Sequence, residues 1–164
     1  MVKILYFGYG ANKNIDMIEA IIGRKPKGTP AKLKDYELCI QVWNEIPRKI
    51  KSILFECGWD DKFQTYCIRS KKGKEVWGTL WELTQAERDL IGHWEMHGIW
   101  FKPINVEVET FDGKNFQAET EIINDQTIKK IVKGDTDYNP FPVEKQKILE
   151  IATKIRLDKI YEFK

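Results

Sequence analysis

Apolar positions along this chain alternate or fall in short blocks, and only three stretches show helical spacing. Val2–Phe7 is an apolar run that reads as a first strand. Met17, Ile18, Ile21 and Ile22 then share one helical face, with Asn14 as cap and Gly23 as stop. Arg24–Lys34 holds Pro26, Gly28 and Pro30 and reads as a polar connection. Strands are expected at Tyr36–Trp43, Ser52–Cys57, Phe63–Arg69 and Glu75–Leu83, the last marked by a period-two alternation of Val76, Gly78 and Leu80 with Trp77, Thr79 and Trp81. Thr84-Gln85-Ala86-Glu87 is a capping box that opens a second helix at Gln85. Its apolar stripe is Leu90, Ile91 and Trp94, and Gly98 closes it. Ile99–Phe111, with an edge position at Pro103, turns through Asp112-Gly113 into Asn115–Ile123. A last helix is expected from near Pro142 to Arg156, carrying Ile148, Leu149, Ala152 and Ile155. Strands outnumber helices and short turns join most of them. The pattern predicts an α+β protein on a largely antiparallel sheet, either open or closed into a barrel.

The 164 residues suit one domain, residues 1–164, since no repeat, linker or low-complexity segment divides them. A composition of 42% hydrophobic and 32% charged residues is that of a soluble globular protein. The net charge of +2 is dispersed and too weak to imply a nucleic-acid partner. Lys71-Lys72 and Lys129-Lys130 read as solvated. No apolar run reaches the ~20 residues that span a bilayer, and no secretory leader or membrane partner is expected. Cys39, Cys57 and Cys67 fit neither a disulfide framework nor a zinc pair. Three reduced, buried thiols and a cytoplasmic location are the expectation.

Chemistry concentrates at two places. The first is Tyr6-Phe7-Gly8-Tyr9-Gly10-Ala11-Asn12, where a strand runs into two glycines and a small residue before a helix. A dinucleotide fingerprint would need glycine where Lys13 stands, a P-loop would need Gly-Lys-Ser/Thr, and a kinase loop would need a larger protein. Two readings remain: a plain strand-to-helix turn, or a loop whose main chain grips an anion or oxyanion.

The second place is His93-Trp94-Glu95-Met96-His97. The two histidines, four apart, share a helical face and could bind zinc. The metalloprotease motif needs Glu directly after the first His, however, and no third ligand is marked. No metal site is expected. Glu95 lies in a last helical turn, where the macrodipole disfavours negative charge, among Trp94, Met96, Ile99, Trp100 and Phe101. Such surroundings raise a carboxylate's pKa toward that of a neutral-pH acid or base. The alternative is an exposed helix-end Glu without a role.

These stretches, in order, resemble the gamma-glutamylcyclotransferase-like family. Tyr6–Asn12 is similar to its N-terminal loop "Y-F-A-Y-G-S-N". Leu33-Lys34-Asp35-Tyr36-Glu37-Leu38 resembles its second strand. Val76-Trp77-Gly78-Thr79-Leu80-Trp81-Glu82-Leu83 is similar to "V-x-G-V-V-W-x-L". His93-Trp94-Glu95 with Val106-Glu107-Val108 resembles its acid-bearing segment. The likeness covers most of the chain and is least anchored at Asn44–Lys72.

The resemblance implies a small mixed, largely antiparallel β-barrel with flanking helices, and an enzyme that releases 5-oxoproline by intramolecular aminolysis of a γ-glutamyl substrate. Glu95 matches the general base. Tyr6, Phe7, Gly8, Tyr9, Gly10, Ala11 and Asn12 match the substrate-binding loop. No cofactor is implied, and the partner is a small γ-glutamyl molecule. Relatives act on γ-glutamyl amino acids, γ-glutamyl amines or glutathione. Ala11 stands where many relatives have Ser, Met96 where Gly commonly follows the acid, and Glu144 near the place of a pocket tyrosine. A non-catalytic module that binds a small carboxylate is the alternative, and a zinc hydrolase built on His93 and His97 a third. The leaving group and the oligomeric state, monomer or homodimer, are left open.

Overall fold

A computed structural model describes residues 2–123, 130–131 and 145–158. The strands are β1 (Ile4–Gly8), β2 (Gly28–Val42), β3 (Gln64–Leu83), β4 (Phe101–Thr110), β5 (Asn115–Ile123) and the short β6 (Lys130–Ile131). The helices are α1 (Ile15–Ile22), α2 (Arg48–Glu56), α3 (Gln85–Trp94) and α4 (Lys145–Asp158). Neighbouring strands follow the order β3-β1-β5-β4-β2, and β2 pairs again with β3, which closes a five-stranded barrel. Only β1 and β5 run parallel in that ring; the other pairs are antiparallel. The largely antiparallel α+β sheet agrees with the pattern, and its closure into a small mixed barrel with flanking helices agrees with what the resemblance implies. No described helix is long and apolar enough to cross a membrane.

The strand alternation sorts side chains into two cores. Phe7, Leu33, Val76, Leu80, Val106 and Val108 pack together inside the barrel. Tyr6, Trp81 and Leu83 point the other way, onto a layer that contains Met17, Ile50, Ile91 and Ile151 of the four helices. Tyr6 and Phe7 are adjacent and fully buried on opposite faces of β1, which fixes its register.

Local signals fix several element ends. The Asn14 side chain accepts from Asp16 N at 2.8 Å, and Gly23 takes φ 88° to close α1. Thr84 and Glu87 form the reciprocal capping box of α3.

Four expectations need correction. Ser52–Cys57 is not a strand but part of α2. Pro47 precedes its first residue, and Ile46, Ile50 and Leu54 recur every four residues against the core. Arg24–Lys34 is not all connection, because β2 begins at Gly28. Pro30 sits near the strand's start, while Ala31 and Leu33 are buried. The two strands Phe63–Arg69 and Glu75–Leu83 are one strand. Asp35 (φ 62°) on β2 and Gly73 (φ 83°) on β3 bend the long pair together, and Gly73 N donates to Asp35 Oδ1 at 2.9 Å. The second helix ends at Trp94, before Gly98.

Of α4, Lys145–Asp158 is described, with Ile148, Ile151, Ala152 and Ile155 buried; its expected start at Pro142 and Glu144 lie outside the described residues. Lys71-Lys72 is exposed, and the side chains of Lys129-Lys130 lie outside the described residues. Cys39 and Cys67 are buried and directly opposite on β2 and β3, whereas Cys57 is only partly buried.

Candidate functional site

β1 delivers the glycine loop to one end of the barrel. Gly8 and Gly78 are needed there for close approach: a Cβ on Gly8 would lie 2.2 Å from Asn12 O, and one on Gly78 would lie 2.4 Å from Gly8 O. Gly10 takes φ 63° and packs against Tyr66, so both its conformation and the lack of a side chain matter. A tight 3-10 turn over Gly10–Lys13 follows. Trp81 Nε1 donates to Asn12 O at 2.8 Å and Thr79 Oγ1 to Lys13 O at 2.9 Å, which pins the turn to β3.

Glu95 reaches the same place from the end of α3. The helix closes with a Schellman arrangement: His97 N donates to Gly92 O at 3.0 Å and Met96 N to His93 O at 3.2 Å. Met96 occupies the left-handed position (φ 53°) where glycine is usual, and its side chain is buried. The chain reverses at Met96, so Glu95 and His97 lie beyond the last helical residue. His93 and His97 therefore do not share a helical face. Among the described residues no group of three or more His, Cys, Asp or Glu is arranged to hold a metal.

The loop and Glu95 meet in a cleft of about 80 Å³. Tyr6, Tyr9, Gly10, Ala11, Asn12 and Glu95 all line it, whereas Phe7 and Gly8 do not. Phe7 belongs to the barrel interior, and Gly8 serves the packing of the turn. Asn12 joins the two segments: its Nδ2 donates to Glu95 Oε1 at 2.6 Å and to Tyr6 Oη at 2.9 Å. Burial, and then the carboxylates of Glu121 and Glu95, hold the Tyr6 hydroxyl well above its usual pKa, so it stays protonated.

Glu95 is partly exposed as a residue, but its carboxyl group is desolvated. That desolvation, aided by the nearby Glu121 charge, pushes its pKa up to about 8, against smaller lowering effects of the Asn12 hydrogen bond and Arg88. Such a group holds a proton at neutral pH and exchanges it readily.

Sequence reasoning missed Glu121. It lies on β5, is 2% exposed and lines the same cleft. Arg88 Nη1 donates to its Oε1 at 2.7 Å, and His97 Nε2 is hydrogen-bonded to its Oε2. Arg88 is itself 3% exposed and lies over the Tyr6 ring, 4.8 Å from its centroid. The available signal was an acid on the strand face shared with buried Ile123. The aromatic wall was also missed: Trp59, Phe63 and Trp100 line the cleft, with ring centroids of Trp59 and Phe63 4.8 Å apart.

No protein-family model matches the sequence, and no curated protein matches it. Solved structures do match its fold. An uncharacterised protein from Homo sapiens aligns over 99% of this chain and 88% of its own, with TM-score 0.61 and 17% identity. A gamma-glutamyl cyclotransferase aligns over 99% and 89%, with TM-score 0.60 and 17% identity. A protein from Arabidopsis thaliana, solved in solution, aligns over 97% and 90%, with TM-score 0.58 and 17% identity. At such identity the likeness is one of architecture. The closed barrel, its flanking helices and these matches together give the chain the gamma-glutamylcyclotransferase-like fold.

Proposed function

We propose that the protein is a cyclotransferase that releases 5-oxoproline from a γ-glutamyl substrate, with Glu95 as general base. The observation that carries this reading is the meeting of a desolvated carboxyl group and the glycine loop through one hydrogen bond, Asn12 Nδ2 to Glu95 Oε1, 2.6 Å. The fold it shares with a gamma-glutamyl cyclotransferase supports the reading.

The reaction demands little of the protein. The substrate's α-nitrogen attacks its own γ-carbonyl carbon, the bond from that carbon to the departing nitrogen breaks, and a five-membered lactam remains. Two protons pass from the α-nitrogen to the departing amine. Glu95 takes the first, from the α-ammonium, and the raised pKa suits a group that must accept and return protons near neutrality. The main chain at Gly10 and Ala11 holds the substrate carboxylate or the developing oxyanion. The attack is already intramolecular, so selecting the folded-back conformer supplies much of the rate.

The test is 5-oxoproline release from a panel of γ-glutamyl dipeptides and amides. Glu95→Gln should lower turnover by about 10²-fold or more. Full activity in that variant removes Glu95 from the reaction. Tight binding of a γ-glutamyl compound with no product would favour a non-catalytic binding module.

A further inference from the structure

We propose that the Glu121 carboxylate, together with Asn12 Oδ1, is the subsite for the α-ammonium group of the substrate. The inference rests on the cyclotransferase reading above and adds a substrate contact on β5, outside the loop and the α3 segment.

Three observations lead to it. The first is charge. Glu95 and Glu121 are the acidic residues lining the cleft, and among the described residues no lysine or arginine lines it. Arg88 pairs with Glu121 from outside the cleft lining, so the charged side chain that lines the cleft there is a carboxylate and not its basic partner. The second is the unused acceptor. Asn12 is 4% exposed and lines the cleft, and its Oδ1 has no hydrogen-bond partner among the described residues. Its amide nitrogen is committed to Tyr6 and Glu95, so the oxygen side must be satisfied by a donor. An alkylammonium brings three donors and no acceptor.

The third is how Glu121 is held. Arg88 Nη1 engages one carboxylate oxygen and His97 Nε2 the other, and Tyr9 Oη donates to the Glu121 main-chain oxygen at 2.7 Å. Each carboxylate oxygen has a second lone pair, so the cleft side can accept again. Held by these partners, the Glu121 carboxylate is fixed in place in the buried site by charge-assisted hydrogen bonds. Glu95 carries a proton near neutrality and so is a poor counter-ion for an incoming ammonium. The two acids thus divide the work: Glu121 attracts and orients the ammonium, and Glu95 takes its proton. The arriving positive charge favours the ionised form of Glu95, so binding would ready the base.

The test uses two ligands in a background that does not turn over. L-γ-glutamyl anilide and glutaryl anilide differ only in the α-amine. Calorimetric titration of the Glu95→Gln protein should show tenfold or greater preference for the amine-bearing ligand. In Glu95→Gln/Glu121→Gln that preference should fall below threefold, with glutaryl anilide affinity changed little. A tenfold preference that persists without Glu121 overturns the subsite and leaves the cyclotransferase reading intact. Failure of both ligands to bind the Glu95→Gln protein overturns the two together. Should Glu121→Gln not fold, Glu121→Asp keeps the charge beside Arg88 but withdraws it from the cleft. It should lower the preference by at least threefold, and an unchanged preference overturns the subsite.

Discussion

The side-chain amide of Asn12 donates to the Glu95 carboxylate at 2.6 Å, across eighty-three residues of sequence. That bond favours the ionised form of Glu95 against the burial that raises its pKa to about 8. If Glu95 is the base, kcat/KM should rise tenfold per pH unit below about 8 and level off above it. Asn12→Ala removes the bond, so the rising limb should move to higher pH. A pH–rate profile of the two proteins checks this; an unmoved limb would separate Asn12 from the ionisation that matters.

Glu95 also sets a pH dependence of stability. Its pKa is raised in the folded protein, from 4.5 to about 8, so the folded state binds more protons than the unfolded state between those values. The contribution is full below 4.5 and is lost as pH rises through about 8. Glu95→Gln should therefore melt several degrees higher than the parent protein at pH 9, and the gap should close near pH 5. Thermal melts at the two pH values measure it, and a gap that widens toward pH 5 contradicts the assignment.

Arg88 and Glu121 are each 3% exposed in their side chains and 2.7 Å apart. Removing one member of such a pair strands the other charge, at a cost of roughly 3–5 kcal/mol. Arg88→Leu should lower stability by that much in urea unfolding. Loss of under about 1 kcal/mol would mean that water or His97 compensates.

Gly8 is a packing residue rather than a cleft residue. A methyl group there would sit 2.2 Å from Asn12 O and 3.1 Å from Trp81 Nε1, so the turn must shift. Gly8→Ala should destabilise by about 1–3 kcal/mol and disturb Asn12 as well. Equilibrium unfolding, with 5-oxoproline release measured alongside, tests both effects.

The apolar lining of the cleft includes Leu54, Trp59, Phe63, Trp100 and Ile148. An apolar leaving amine would bury its surface there, whereas the carboxylate of a departing amino acid would lose hydration without a described basic partner. γ-Glutamyl anilide should therefore have a kcat/KM at least tenfold above that of γ-glutamylglutamate. The reverse order would mean that an anion is received elsewhere on the cleft.

Signals carried by neighbours in sequence were legible beforehand. The Asn14 and Thr84 caps, the Gly23 stop and the alternation on either side of Gly78 place α1, the start of α3 and one half of β3, because each depends on bonds within a few residues. Ser52–Cys57 was misread as a strand because short apolar runs fit strand and helix alike, and only burial of Ile50 and Leu54 against the core decides. β2 and β3 run through Pro30 and Gly73 because cross-strand pairing outweighs local breakers.

By itself, then, the sequence determined which residues make turns and caps, an α+β pattern of many strands, and two candidate segments around Gly10 and Glu95. Tertiary structure alone decided that those segments share a cleft, since barrel closure brings residues far apart in sequence within 2.6 Å. It also decided that Glu121 stands there, bound to Arg88 and His97. A strand residue's partners are set by pairing register and by helices packed from elsewhere, which no local pattern encodes.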